Sequence, residues 1–210
     1  MVESLQAHKP ACRIQTERLV IRCWDPKDAP LLKDAVDRSR EHLKPWMPWA
    51  HGEPEPLQAY IERLRQYRGK FDLGQDFVFG IFNQDESQVL GGCGLHTRLG
   101  EGAREIGYWI HKDFIGQGLA TEANAALVKI AFEIEGVNRV EIHCDPANVR
   151  SAAIPRKLGF HLEVILKKRK NFLGKWLDSM IWTLFREDYP DSPAASIEIQ
   201  AFDVMGRSLL

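Results

Sequence analysis

The sequence predicts one mixed α/β domain, and three observations carry that expectation. Three strand-like runs, 77–82, 89–99 and 104–111, follow one another with only the short segments NQDES and GEG to turn the chain, the pattern of an antiparallel meander. A long apolar stripe at helical spacing (Ala120, Ala123, Leu127, Ile130, Ala131, Ile134) then leads to another strand-like run at 139–144. A strand–helix–strand unit implies a parallel pair with a right-handed crossover. Between meander and helix lies REIGYWIHKDFIGQGLATE (104–122), which reads as a strand, a two-glycine turn and a helix start.

The remaining elements follow in chain order. Residues 1–15 read as a poorly ordered lead-in. In 18–24 Leu19, Ile21 and Cys23 alternate with Val20, Arg22 and Trp24, as in a strand. Asp25 is placed to cap a helix, Pro26 suits its first position and Asp28 its positive end. Ala29, Leu32, Ala35 and Val36 share one face of that helix. Two prolines in HLKPWMPWA (42–50) forbid a regular element there. A second helix spans 56–68, with Leu57, Tyr60, Ile61 and Leu64 at helical spacing and Gly69 after the last turn. Gly136 stands where the long third helix needs a C-terminal cap. In DPANVRSAAIPRKLGF (145–160) a short helix is expected to begin near Ser151, so that Pro155 lies close to its first turn. Runs 160–168 and 175–185 form a closing hairpin, with Asn171 and Gly174 in its loop. There is no internal repeat and no linker, so the domain is 16–188, and the tail 189–210 is either disordered or docked on a sheet edge or a second subunit.

A chain of 210 residues suffices for one full core. With 44% hydrophobic and 27% charged residues it has the composition of an ordinary soluble globular protein. The net charge of -1 argues against a dedicated nucleic-acid binder. No apolar run approaches the roughly 20 residues that cross a bilayer, and the N-terminus lacks an apolar signal segment, so the expected setting is the cytoplasm, with no membrane partner. Cys12, Cys23, Cys93 and Cys144 show neither Cys-x-x-Cys nor metal-like spacing with histidine, and no metal is expected.

Gly116 and Gly118 flank Gln117. Such a turn can take positive φ and bring a ligand against bare backbone. The helix that follows offers unpaired amides and the positive end of its dipole, an anion site of the kind used for phosphates. GQGLAT has Thr121 where the dinucleotide fingerprint needs glycine, and no Gly-Lys-Ser/Thr follows to make a P-loop.

The ordered set TERLVIR (16–22), HLKPWMPW (42–49), EIGYWI (105–110), IGQGLATEA (115–123), NVRSAAIPRKLGF (148–160) and GKWLDSMIWTL in the last strand resembles the GCN5-related N-acetyltransferases (GNAT). Within them it is similar to the RimJ/RimL-type ribosomal-protein N-terminal acetyltransferases. The resemblance runs from about Thr16 to Tyr189. It implies the acyl-CoA N-acyltransferase fold, a mixed, mostly antiparallel, splayed sheet flanked by helices, and acetyl-CoA as co-substrate. The family seats the pyrophosphate on a turn Q/R-x-x-G-x-G/A, here Ile115, Gly116, Gln117, Gly118, Leu119 and Ala120, with Thr121 following. Ile115 departs from the Gln or Arg of that pattern, and a modest loss of affinity is expected because backbone amides make most of the contacts. Main-chain groups of Trp109, Ile110 and His111 are implied to pair with the pantetheine arm like an added strand. Asn148 is implied to hydrogen-bond the same arm near the thioester; read without the family it is a loop-to-helix cap.

Acetyl transfer to an amine needs a neutral amine, a thioester held in line with it, and a proton or dipole for the departing thiolate. The resemblance makes Glu105 the base, acting through water; the plainer reading is a strand carboxylate paired with an arginine such as Arg104. His143 is the reserve base, because an unperturbed imidazole already titrates in the useful range. Where many relatives have an acidic tyrosine, seven residues after Asn148, this chain has Pro155. The RimL-type resemblance offers Ser151 instead, its hydroxyl meeting the thiolate with help from the helix N-terminus, unless it is an ordinary cap. Trp46 and Trp49 either close the acceptor pocket or pack beneath their proline-stiffened loop. The run Lys167–Lys170 is a solvated edge or attracts acidic groups.

The expected activity is therefore direct, acetyl-CoA-dependent N-acetylation of a primary amine, with a protein N-terminus, guided by the family a ribosomal protein's, as acceptor. A small-molecule amine (polyamine, amino acid or aminoglycoside) and a non-catalytic acyl-CoA-binding domain are the alternatives. A homodimer is compatible with the resemblance.

Overall fold

Strands that are apolar on both faces need cover on both faces, and this governs the layout. The computed structural model describes residues 10–210. Among them nine strands form one sheet: β1 (Arg13–Gln15), β2 (Val20–Cys23), β3 (Phe77–Phe82), β4 (Val89–His96), β5 (Ala103–Ile110), β6 (Arg139–Cys144), β7 (His161–Phe172), β8 (Lys175–Phe185) and β9 (Gln200–Phe202). Their order is β7-β8-β6-β5-β4-β3-β2-β1-β9. The helices are α1 (Ala29–Leu43), α2 (Leu57–Asp72), α3 (Leu119–Lys129) and α4 (Val149–Lys157). Neighbouring residues fall in different core clusters, as strand alternation demands. Ile21 and Ile81 join the cluster that holds Ala123 and Leu127 of α3, whereas Val20 and Phe82 join Leu32 and Val36 of α1 and Tyr60 and Leu64 of α2.

The expected meander is present: β3–β4 and β4–β5 pair antiparallel, and β5–β6 pair parallel through α3. Asp25 and Asp28 form a capping box ahead of α1, with Pro26 in the first position of a 3-10 turn at Pro26–Asp28. Other boundaries differ from the sequence expectation. α2 runs through Gly69 to Asp72, and Gly74, at φ +67°, turns the chain instead. α4 starts at Val149, because Asn148 is the cap and its Oδ1 accepts the Ser151 amide at 3.1 Å; Pro155 therefore lies inside the helix. α3 widens into a π-turn at Ile130–Ile134 before Gly136 at φ +69°.

Both ends of the described chain join the sheet. The lead-in expectation for residues 1–9 lies outside the described residues. Residues 13–15, expected to be part of that lead-in, form β1 instead, with Ile14 fully buried. The tail is docked, not disordered: β9 pairs antiparallel with β1, and Ala201 is fully buried. Cys12 and Cys23 meet at this edge as free thiols with sulfurs 2.9 Å apart.

One irregularity positions the site. The β5–β6 ladder stops at Ile106 and Ile142, yet β5 stays with β4 to Ile110 and β6 stays with β8 to Cys144. The sheet is whole at one end and splits between its two parallel strands at the other.

Candidate active site

Beyond Ile106 the β6-facing edge of β5 has no strand partner. The His111 amide donates to Leu90 O on β4 at 2.8 Å. Alternation along the strand then turns the main-chain groups of Tyr108 and Ile110 toward the split. Of the three residues expected to offer main chain there, Ile110 does so, while Trp109 turns its carbonyl to β4, where a Cβ on Gly91 would sit 2.2 Å from it. Glycine on β4 also makes room for the Trp109 ring, since a Cβ on Gly92 would lie 2.6 Å from its Nε1. The His111 side chain is buried and caps the next turn, its Nδ1 accepting the Asp113 amide.

At the mouth of the split, Gly116 and Gly118 take φ of +77° and +81°. Gly118 is the N-cap of α3 and provides no side-chain cap, so the first-turn amides of Leu119, Ala120 and Thr121 have no partner within the helix. Arg18 pins this turn, with Nη1 donating to Gln117 O at 2.9 Å and Nε to Glu122 at 2.7 Å. Ile115 stands exposed beside it. A left-handed glycine pair on an uncapped helix N-terminus is a cradle for a phosphate oxyanion.

The opposite wall is α4. The Tyr108 hydroxyl crosses the split to Ser151, 2.8 Å from its Oγ and 3.1 Å from its carbonyl oxygen. The second contact has a local cause: Pro155 has no N–H to give the carbonyl four residues back, and Tyr108 serves it instead. Ser151 is thus the third residue of the helix, tied to Tyr108, and Asn148 is the cap. Burial pushes the Tyr108 phenol up, with the Ser151 hydrogen bond opposing, so it is a protonated donor at neutral pH.

Between these walls opens a cleft of about 770 Å³. Trp46 and Trp49 line it; Trp49 packs edge-on against Trp109, ring centroids 6.0 Å apart. Phe172, at the tip of the β7–β8 hairpin, meets His51 of the same loop. Lys170 alone of the basic run lines the cleft, while Lys167 pairs with Asp178 at 2.8 Å.

A polar row crosses the cleft floor. Glu105 is buried, and both its oxygens are held by Arg98, Nε to Oε2 at 2.7 Å and Nη2 to Oε1 at 2.6 Å. Its partner is Arg98 and not Arg104, which pairs with Glu135 at 2.6 Å. Burial raises the Glu105 carboxyl, but the Arg98 fork, with His143 nearby, outweighs burial and holds it below its ordinary value. His143 places Nε2 2.7 Å from Glu141 and Nδ1 3.7 Å from Glu105. The floor also holds His96, with Nδ1 3.0 Å from Asp76.

Tyr108, Arg98, His96 and Asp76 were not singled out from the sequence. Tyr108 lies inside EIGYWI, but its reach to α4 is a long-range contact. His96 had a local signal: it alternates with Gly94 at the end of a glycine-rich strand.

Residues 18–161 match the family model described as "Acetyltransferase (GNAT) domain". The chain is 29% identical over 189 residues to the [Ribosomal protein uS5]-alanine N-acetyltransferase of Escherichia coli, covering 88% of this chain and 96% of that one. It is 31% identical over 185 residues to the putative ribosomal N-acetyltransferase YdaF of Bacillus subtilis, covering 85% and 96%. The fold matches that of RimL, a ribosomal L7/L12 alpha-N-protein acetyltransferase solved with coenzyme A, at a TM-score of 0.73 and 21% identity over 84% of this chain and 97% of that one.

Proposed function

The chain belongs to the GNAT acetyltransferase family, and from that premise we propose that it transfers the acetyl group of acetyl-CoA to the N-terminal α-amine of a protein, a cytoplasmic ribosomal protein being the favoured acceptor. The observation that most supports this acceptor is the 29% identity to an enzyme named for uS5-alanine N-acetylation, sustained over 96% of that protein's length. The open cleft is consistent with a peptide end entering between the Trp46–Trp49 loop and the hairpin tip.

In this reading the amides from Gly116 to Thr121 receive the pyrophosphate, and the free edge of β5 at Tyr108 and Ile110 receives the pantetheine arm. Asn148 spends Oδ1 on its cap and keeps Nδ2 for the same arm. The thioester then lies where Tyr108 and Ser151 meet, and their paired hydroxyls supply the proton that the departing thiolate needs.

The test is thiol release from acetyl-CoA, screened against N-terminal peptides of ribosomal proteins and a panel of small amines. Turnover with a peptide and little with the amines is the expected result. Turnover confined to polyamines, amino acids or aminoglycosides reassigns the acceptor. Tight acetyl-CoA binding without turnover on either panel makes the protein an acyl-CoA-binding module.

A further inference from the structure

Strand register sets a transverse row of polar residues across the sheet, of which Asp76, His96 and Glu105 line the cleft. His96 of β4 stands opposite Glu105 of β5, which stands opposite Glu141 of β6, and Asp76, just ahead of β3, extends the row beyond His96. Every carboxylate in the row has a partner. Glu105 is held by Arg98, Glu141 by Arg139 (2.7 Å) and by His143, and Asp76 by His96. Both nitrogens of His143 face carboxylates.

His96 differs from its neighbours. A carboxylate only accepts hydrogen bonds, so the contact to Asp76 requires the proton on Nδ1 and leaves the lone pair of a neutral ring on Nε2. No side chain or main-chain group bonds that Nε2 among the described residues. The ring also lies along the sheet over two glycines: a Cβ on Gly94 would come within 2.9 Å of Nε2, and one on Gly107 within 3.1 Å. Gly107 precedes Tyr108, so Nε2 lies beside the start of the split, in the cleft that His96 lines. The charged and titratable groups around it are Asp76, Arg98, Glu105 and, from α2, Tyr67 near Asp76.

We propose that His96, oriented by Asp76, is the general base that takes the proton from the acceptor amine; this rests on the N-acetyltransferase reading. Nε2 removes one proton from the acceptor ammonium. The nitrogen lone pair then forms the C–N bond to the acetyl carbonyl carbon. The C–S bond breaks with its electron pair going to sulfur. As the tetrahedral adduct collapses, the Tyr108–Ser151 pair delivers a proton to sulfur. The pair is reprotonated, through water, by the second proton leaving the nitrogen, and the imidazolium returns its proton to water. Asp76 fixes the tautomer through its contact with Nδ1. The Glu105 carboxylate, held low by Arg98, contributes negative charge that attracts the ammonium.

The experiment compares wild type, His96→Gln, His96→Ala, Asp76→Asn and Glu105→Gln on the best acceptor from the peptide and amine screen. His96→Gln is expected to lower kcat/KM by about 10²–10⁴-fold, with calorimetric affinity for acetyl-CoA unchanged and the acidic limb of the pH profile lost. Free imidazole is expected to restore part of the His96→Ala rate, because Gly94 and Gly107 leave the vacated space open. Glu105→Gln keeps the acidic limb. Nitrogen-15 NMR of the imidazoles provides a readout without turnover: wild type shows the Nδ1–H tautomer at His96, and Asp76→Asn loses that bias. A wild-type rate and acidic limb in His96→Gln, with both lost in Glu105→Gln, overturns the proposal in favour of Glu105, and so does an Nε2–H tautomer at His96. Absence of turnover in wild type overturns the acetyltransferase reading itself, an outcome distinct from any failure confined to the His96 variants.

Discussion

Ile115 occupies the one position of the phosphate turn where the chain departs from its family pattern, and it is exposed. Ile115→Gln or Ile115→Arg adds a donor to a site that otherwise relies on amides. A fall of about threefold to tenfold in KM for acetyl-CoA is expected, from one added solvent-exposed hydrogen bond of ordinary net strength, and steady-state kinetics check it. Arg98 and Glu105 make the complementary case for stability. Because the folded-state pKa of Glu105 is lowered, the pair's contribution is fully present above the ordinary carboxylate range and is lost as pH falls through the folded value. Arg98 is more than half exposed, so Arg98→Ala is expected to cost only about 1–2 kcal/mol at pH 7, with a flatter acid limb in urea midpoints measured against pH. Glu105 could be singled out in the sequence because it opens EIGYWI. Its partner could not, since Arg98 returns to it only through the turn at 97–102.

Helix α4 shows how an element can be legible while its boundary is not. The sequence correctly signalled a helix between Asn148 and Gly159, but Pro155 argued for a later start than Val149. The proline is tolerated because the carbonyl it abandons belongs to Ser151, and Tyr108 reaches that carbonyl from another element. Propensity alone cannot anticipate a donor supplied from 43 residues away. A double-mutant cycle tests the account. Tyr108→Phe is expected to cost about 1–2 kcal/mol in wild type. In the Pro155→Ala background the cost is smaller, because the helix then supplies the missing amide; additive costs would sink the explanation. The same logic covers α2, where Gly69, after the last apolar turn, suggests a stop. The helix runs through it, since tertiary packing of Tyr60, Leu64 and Phe71 outweighs a glycine cost of about 1 kcal/mol.

For the whole molecule, the central meander and crossover could be read in advance, because hydrophobic period and turn length encode local pairing. The joining of the two distant chain segments could not, since 200–202 carry only weak alternation and acquire strand character by pairing with 13–15. Removing residues 199–210 uncovers Ile14 and Ala201's site on β1, and a drop in Tm of about 5–10 °C is expected, measured by calorimetry; an unchanged Tm would mean that β9 is a passive cover. The split between β5 and β6 has its own dynamic consequence. Amides that face a missing strand exchange with solvent freely, whereas those of a completed ladder do not. The amides of Tyr108 and Ile110 are thus a built-in gauge of occupancy: their deuterium exchange should slow when the donor substrate slots in. The rest of the sheet should stay unchanged, with the signal independent of which amine, if any, is present.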